Sequence, residues 1–134
     1  MLEAEYLLFV SDRTVDERGR SNLIGVCENI YTDNVPTRVL GLKAVARIVP
    51  TKKAIVDKEL KIKLSGNING KEVFKLEASP KATIELGNGM SPAFDLSEAI
   101  FPEFGIYTIK LFVDNKELIK RTFSVKDKAD LTEK

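Results

Sequence analysis

The sequence predicts an all-β fold, and three observations support this prediction. Short runs rich in apolar residues recur along the chain, and several of them alternate apolar with polar side chains. Residues that favour turns separate these runs at fairly regular spacing, which is typical of a sandwich or barrel. We expect about seven to nine strands, with at most one short helix.

The N-terminal third contains three candidate strands, at residues 6–11, 22–31 and 37–49. A polar connection, residues 12–21, separates the first two. Thr32-Asp33-Asn34-Val35-Pro36 ends the second run and Pro50 ends the third, because proline cannot donate a hydrogen bond to a central strand.

The middle of the chain contains the clearest strand signal. Leu60-Lys61-Ile62-Lys63-Leu64 alternates with period two, which predicts one apolar and one solvated face. Asn69-Gly70 predicts a tight hairpin turn to a partner at residues 72–77, because both residues tolerate positive φ. A further run at residues 81–86 ends at Gly87-Asn88-Gly89. Residues 91–104 resemble a connection with one helical turn.

The C-terminal region predicts a second hairpin. Tyr107, Ile109, Leu111 and Val113 share one face of the first strand, and Phe112 is an apolar exception on the other face. A three-residue loop at 114–116 would place Leu111 opposite Ile119, Tyr107 opposite Phe123, Val113 opposite Glu117 and Phe112 opposite Leu118. We prefer this loop because a slip of one residue moves a whole apolar set to the wrong face.

Length and composition favour one domain over residues 1–134. The chain is of the commonest domain size and shows no repeat, low-complexity linker or shift in composition. Residues 126–134 offer little to bury, so we expect that tail to fray.

Charge and hydropathy exclude several classes of protein. The chain has 21 basic and 20 acidic residues, a formal net charge of +1, so nucleic acid is not an expected partner. No apolar run approaches the roughly 20 residues of a membrane helix. The start of the chain carries Glu3 and Glu5 where a signal peptide needs basic residues. We therefore expect a cytoplasmic protein that does not associate with a membrane.

The candidate catalytic and metal-binding groups are few. Histidine is absent and Cys27 is the one cysteine, so zinc and copper ligand sets and histidine-based triads cannot form within the chain. We interpret Cys27 as a small core residue rather than a nucleophile. Asp12, Asp16 and Glu17 lie together but lack the EF-hand spacing. No phosphate-binding glycine loop is present. We therefore predict no catalytic residue, metal site or cofactor, and not an enzyme.

Asp12 and Arg13 allow two interpretations. They follow the first predicted strand, so they either touch a partner from a loop at the end of the sandwich or only shape the turn. In the second case Asp12 would cap the turn through its own backbone and Arg13 would pair with a nearby acid. Turn chemistry is the simpler explanation.

Two segments carry a resemblance to known proteins. Phe104-Gly105-Ile106-Tyr107-Thr108-Ile109 resembles the Gly-x-Tyr step of immunoglobulin-like domains, in which the tyrosine hydroxyl folds back onto the preceding loop. Ser11-Asp12-Arg13, then Gly19-x-x-Asn22-Leu23-Ile24-Gly25-Val26, Asn29-Ile30 and Pro36, resembles a family of small uncharacterised bacterial and phage-borne proteins. That family is a domain of unknown function with a predicted immunoglobulin-like β-sandwich. The resemblance implies the fold and assigns no chemistry.

Three hypotheses of function follow. The leading one is a non-catalytic protein-binding or structural accessory module of bacterial or phage origin, whose partner is a protein. The second is a small enzyme or nucleotide-binding protein that uses carboxylates and lysines. The third is a structural component of a phage particle. The sequence identifies neither the binding residues nor the oligomeric state.

Overall fold

A computed structural model describes residues 2–15, 21–51, 56–84 and 89–131. These residues form twelve strands and one short 3-10 helix at Lys128–Leu131. The strands are β1 (Leu2–Val10), β2 (Asp12–Val15), β3 (Ser21–Ile24), β4 (Asn29–Thr32), β5 (Lys43–Pro50), β6 (Val56–Glu59), β7 (Ile62–Ile68), β8 (Lys71–Ala78), β9 (Lys81–Ile84), β10 (Ala93–Asp95), β11 (Gly105–Val113) and β12 (Lys116–Asp127). In this part of the chain no helix is long and apolar enough to cross a membrane.

Two main sheets form an immunoglobulin-like sandwich. One sheet has the order β1-β5-β10 and the other has the order β4-β12-β11-β7-β8. If β1, β5, β7, β10, β11 and β12 are lettered A, B, C, E, F and G, the first sheet is A-B-E and the second contains G-F-C, with β8 in the C′ place. The predicted all-β, immunoglobulin-like fold is therefore confirmed.

Aromatic and aliphatic side chains from both sheets fill the core. Phe9 of the first sheet meets Phe123 of the second with ring centroids 5.2 Å apart. Phe101 packs edge-on against Tyr107 at 5.1 Å, and both rings are fully buried. These contacts close the space between the sheets at the β11 and β12 end.

Short accessory pairs raise the strand number above the predicted seven to nine. β2 pairs with β3, and β6 pairs with β9. The β6–β9 ladder continues the register of β7–β8, because Leu60 N–H donates to the Pro80 carbonyl at 2.9 Å between the two ladders. β6 to β9 thus form one long hairpin, and Leu60 and Ile84 are fully buried in the core.

The predicted boundaries near the N-terminus were wrong in two places. The polar connection at residues 12–21 contains β2 and the start of β3. The predicted strand 22–31 breaks at Gly25, which adopts φ +69°. A side chain at Gly25 would overlap Ser11 Oγ, so this position requires glycine. The backbone turns here although the apolar pattern of the sequence continues.

Two predictions around β5 also needed correction. β5 starts at Lys43, later than the predicted residue 37, because the chain first turns at Leu40-Gly41 with Gly41 at φ +81°. The predicted connection 91–104 contains β10, which pairs with β5. The expected helical turn is reduced to one hydrogen bond, from Ala99 N–H to the Leu96 carbonyl at 3.1 Å.

The C-terminal hairpin has a tighter turn than predicted. Asp114 and Asn115 form a two-residue turn with φ 50° and 68°, so Val113 pairs with Lys116 and Phe112 with Glu117. A bulge then absorbs the extra residue and restores the predicted pairs Leu111 with Ile119 and Tyr107 with Phe123. The three-residue loop, and with it the pairs of Val113 with Glu117 and Phe112 with Leu118, was wrong, because Asp-Asn suits the turn that matches strand twist.

The tail begins as ordered structure. β12 extends to Asp127 because its end pairs in parallel with β4, and the 3-10 helix follows. The region where we expected fraying, residues 126–134, therefore contains two strand residues and four helical ones. Residues 132–134 lie outside the described part of the chain.

Candidate functional site

Tyr107 fixes the connection that leads into β11. Its hydroxyl donates to the Glu103 carbonyl at 2.6 Å and accepts from the Glu103 N–H at 3.0 Å. The ring is fully buried, and this burial raises the pKa of the hydroxyl above its usual value. The predicted corner tyrosine is thereby confirmed, and it fixes the backbone of Glu103, just before Phe104 and the head of the strand.

Ile106 is the most exposed large hydrophobic residue among the described residues of the large sheet. Strand alternation turns Tyr107 into the core and Ile106 outward, and Ile106 is 64% exposed. Phe104 beside it is 37% exposed. An exposed aliphatic residue and an exposed aromatic ring thus lie next to each other at the head of β11.

A shallow groove of about 570 Å³ surrounds Ile106 on the outer side of the large sheet. We call it the outer groove and define it by Tyr31, Phe104, Ile106, Ser124, Lys126 and Asp130. β4, β11 and β12 position four of these residues, because Ile106 pairs with Ser124 and Tyr31 pairs with Lys126. Phe104 directly precedes β11, and Asp130 lies in the 3-10 helix.

Phe112 shows that exposure at Ile106 is not a general property of β11. Phe112 also points outward, six residues along the same strand. The Lys63 ammonium lies 4.5 Å from its ring centroid and covers it. Phe112 is half-buried whereas Ile106 is exposed, which distinguishes the two apolar outward positions.

The rim of the outer groove carries both signs of charge. The Lys126 ammonium lies 6.0 Å from the centroid of the Tyr31 ring. Asp127 and Asp130 bring carboxylates to the same edge. The rim therefore suits a partner with mixed polar groups more than one of a single strong charge.

A second, smaller cleft of about 220 Å³ lies between β1 and β12 and contains Cys27. Cys27 is half-buried, and its N–H donates to the Phe9 carbonyl at 2.8 Å. Burial raises the pKa of its thiol. A catalytic or metal-binding thiol needs the opposite shift, so the cleft does not activate Cys27.

The charged residues singled out in the sequence are only partly described. Asp12 pairs with Ile24 and Arg13 with Leu23 through their backbones. The side chains of Asp12 and Arg13 lie outside the described part, and so do Asp16 and Glu17. Asp12 and Arg13 lie in β2 rather than in the loop or turn that both interpretations assumed, because their backbones pair with β3. Whether Asp12 and Arg13 contact a partner stays a prediction. Within the described ranges, no cluster of three or more His, Cys, Asp or Glu side chains could hold a metal ion.

Sequence reasoning missed the outer groove. In the sequence, Ile106 is notable only as the residue between Gly105 and Tyr107. A signal was present, because the alternation that buries Tyr107 and Ile109 turns Ile106 outward. The alternation gave no indication that Tyr31 lies on the same surface, because the parallel pairing of β4 with β12 brings it there.

Solved structures show similarity at low sequence identity. The chain superposes on Pseudomonas fluorescens alkylpurine DNA glycosylase AlkC bound to DNA containing an abasic site analog, with a TM-score of 0.54 and 9% identity. The match covers 93% of this chain and 30% of that one. An immunoglobulin-like protein from Pseudomonas aeruginosa (PA1606) gives a TM-score of 0.48 and 16% identity over 94% of this chain and 97% of that one. The likeness to AlkC concerns the fold alone.

Sequence comparison gives a more direct result. No curated protein matches the chain. The Family of unknown function (DUF6941) matches residues 6–126, which is most of the 134-residue chain and includes β4, β11 and nearly all of β12. The match confirms the resemblance to a domain family of unknown function, and the chain belongs to the DUF6941 family.

Proposed function

We propose that this protein is a non-catalytic protein-binding module and that its partner docks in the outer groove. The observation behind this proposal is Ile106, 64% exposed at an outward position of a central strand. Phe104 and Tyr31 extend the apolar surface on either side of it. Aromatic side chains around an aliphatic anchor, with a polar rim, form the composition typical of a protein interface.

Charge on the outer face favours a protein over a nucleic acid. Lys63 pairs across the strands with Glu77. The Lys110 ammonium lies 3.8 Å from Glu117. The register also sets Lys75, Lys110 and Lys120 in one row across this face. Because Glu77 and Glu117 lie beside these lysines, the described part of the face carries both signs of charge, whereas a phosphate backbone favours a surface of one sign.

Two described carboxylates, those of Asp95 and Asp114, have a lowered pKa. Hydrogen bonds from Ser97 lower the pKa of Asp95, and the Lys58 ammonium together with the Lys61 N–H lowers the pKa of Asp114. A general acid working near neutral pH needs the opposite shift. These two carboxylates therefore do not support the second hypothesis, a small enzyme or nucleotide-binding protein.

The proposed setting is the cytoplasm of a bacterium, where the protein serves as an accessory factor of bacterial or phage origin. The sequence resemblance supports that origin. A lone, half-buried cysteine suits a reducing compartment. The third hypothesis, a component of a phage particle, predicts a large defined assembly, and light scattering on the purified protein distinguishes it.

Site-specific photo-crosslinking in the source cell tests the proposal. A photoreactive amino acid replaces Ile106 in one variant and Leu40 in a matched control, because Leu40 is also apolar and is 85% exposed but lies outside the outer groove. We expect one defined adduct from position 106, none from position 40, and loss of the adduct when Lys126→Glu is added. Equal labelling from both positions would contradict the proposal.

A ligand screen tests the second hypothesis separately. Nucleotides and divalent metals are added to the purified protein and the melting temperature is followed, because a ligand that binds only the native state raises it. We expect no shift. A saturable shift with one nucleotide would favour the enzyme or nucleotide-binding hypothesis.

A further inference from the structure

The far edge of the large sheet carries a long strand with one neighbour. Among the described residues β8 pairs with β7 alone, and its other edge faces away from the sheet. Unpaired N–H and C=O groups on such an edge can accept another strand. This edge lies three strands away from β12, so it is separate from the outer groove.

The hydrogen-bond pattern identifies which residues of β8 offer these groups. The bond from Leu60 N–H to the Pro80 carbonyl fixes the phase of the ladder. Bonded and non-bonded positions alternate in an antiparallel pair, so Ala78, Leu76 and Phe74 turn their backbone groups toward β7. Lys75 and Glu77 therefore turn their backbone N–H and C=O groups toward the open edge of β8.

Lys75 and Glu77 also carry opposite charges on exposed, outward-facing side chains. If a second copy of β8 runs antiparallel about a two-fold axis at Leu76, Lys75 of each copy lies opposite Glu77 of the other. Opposite charges directly across a strand pair attract, and like charges repel. The neighbouring in-phase registers place Lys75 opposite Lys75 or Glu77 opposite Glu77, so charge selects the register centred on Leu76.

We propose that two copies of this chain pair antiparallel through β8, with Leu76 facing Leu76 across the two-fold axis. Phe74 and Leu76 are half-buried in one copy, and the paired strand covers their exposed edges. The register shift near Val73 marks a bulge, which limits the pairing at one end. Both copies use the same edge, so the contact is closed and stops at a dimer.

Charge reversal tests the register. Sedimentation equilibrium of the full chain over a range of concentrations measures the dimer dissociation constant. Lys75→Glu alone and Glu77→Lys alone each replace two attractive pairs by two repulsive ones, so we expect each to raise this constant by about tenfold or more. Lys120→Glu, on the same face but on β12, is the matched control and should leave it unchanged.

Mixing the two variants gives the sharpest result. In a heterodimer of Lys75→Glu with Glu77→Lys, every pair across the axis again joins opposite charges. We expect the mixture to dimerise although each variant alone dissociates. Urea unfolding midpoints of the separate variants distinguish a lost interface from a lost fold.

A disulfide test locates the axis. In a Cys27→Ala background, Leu76→Cys places two thiols opposite each other at a non-hydrogen-bonded pair, within reach of a disulfide. Mild oxidation should give a covalent dimer, whereas Glu72→Cys, on the same strand but off the axis, should not. A protein that stays monomeric at the highest soluble concentration would refute the proposal. So would a dimer that Lys75→Glu leaves unchanged, or equal cross-linking of both cysteine variants. None of these results bears on the outer groove, which the photo-crosslinking tests separately.

Discussion

Replacing the corner tyrosine separates the contribution of its hydroxyl from that of its ring. Tyr107→Phe removes both hydrogen bonds to Glu103 and keeps the buried ring. Glu103 is exposed, so water can reach part of the vacated backbone groups. We expect a loss of about 1–2 kcal/mol in the free energy of unfolding. Tyr107→Ala also removes the ring that packs against Phe101, and should cost about 3–5 kcal/mol.

Urea denaturation measures both losses, with an unchanged dependence of free energy on urea as the sign that the unfolding transition is comparable. Tyr31→Phe is the control, because no hydrogen bond of that hydroxyl is present among the described residues, and it should stay within about 0.5 kcal/mol. If Tyr107→Phe is as harmless as the control while Tyr107→Ala is severe, the ring stabilises the core and the corner hydrogen bonds do not. If Tyr107→Ala is mild, the packing argument fails.

Three further predictions concern a glycine, a carboxylate and the thiol. Gly66→Ala would push its methyl group into the Phe74 ring and should cost about 1–3 kcal/mol; adding Phe74→Leu should recover part of this loss in urea unfolding, and an unimproved double variant contradicts the explanation. Lys58 holds the folded-state pKa of Asp114 below its unfolded value. The stability that Asp114→Asn removes is therefore present above pH about 4 and disappears as pH falls through the folded pKa. A difference in melting temperature between the variant and the parent protein that is independent of pH would refute this. Cys27 should react slowly with a thiol reagent at neutral pH until denaturant is added, because burial raises its pKa; prompt labelling of the native protein would overturn this.

Local sequence patterns predicted the elements whose structure depends on local chemistry. Residues 62–64 of the alternating run 60–64 lie in β7, and Asn69-Gly70 forms the predicted turn with positive φ at both residues. The Gly105-x-Tyr107 step gave the corner tyrosine, because the strand parity and the preceding loop both follow from adjacent residues. In each case the information was contained within a few neighbouring positions.

The elements that sequence missed depend on contacts between distant segments. The break at Gly25 follows from the approach of Ser11, fourteen residues earlier. The parallel pairing of β4 with β12 has no local signature, because parallel partners are far apart in sequence. The two-residue turn at Asp114 was not predicted because the apolar pattern does not reveal the bulge that follows it. With the bulge, the two-residue turn gives the same pairing of Leu111 with Ile119 as a three-residue loop without a bulge.

The same limit applied to the candidate site. Ile106 and Phe112 look alike in the sequence, since both are apolar residues at outward positions of one strand. Only the strand order shows that Lys63 of β7 covers Phe112. Ile106 instead lies opposite Ser124 of β12, which is next to the short edge strand β4. The candidate binding surface thus depends on which neighbour each strand has, and composition cannot supply that information.

The sheet order also relates the two proposals to each other. The outer groove involves β4, β12 and β11, at one side of the five-stranded sheet, and the β8 edge lies at the other side. A dimer formed through β8 leaves both outer grooves open, at the far sides of one continuous ten-stranded sheet. Two linked sites bind a partner that displays repeated epitopes more tightly than one site does, without any new contact. Self-association would in this way strengthen a shallow groove that binds weakly by itself, which gives the two surfaces a common physical rationale while each remains testable alone.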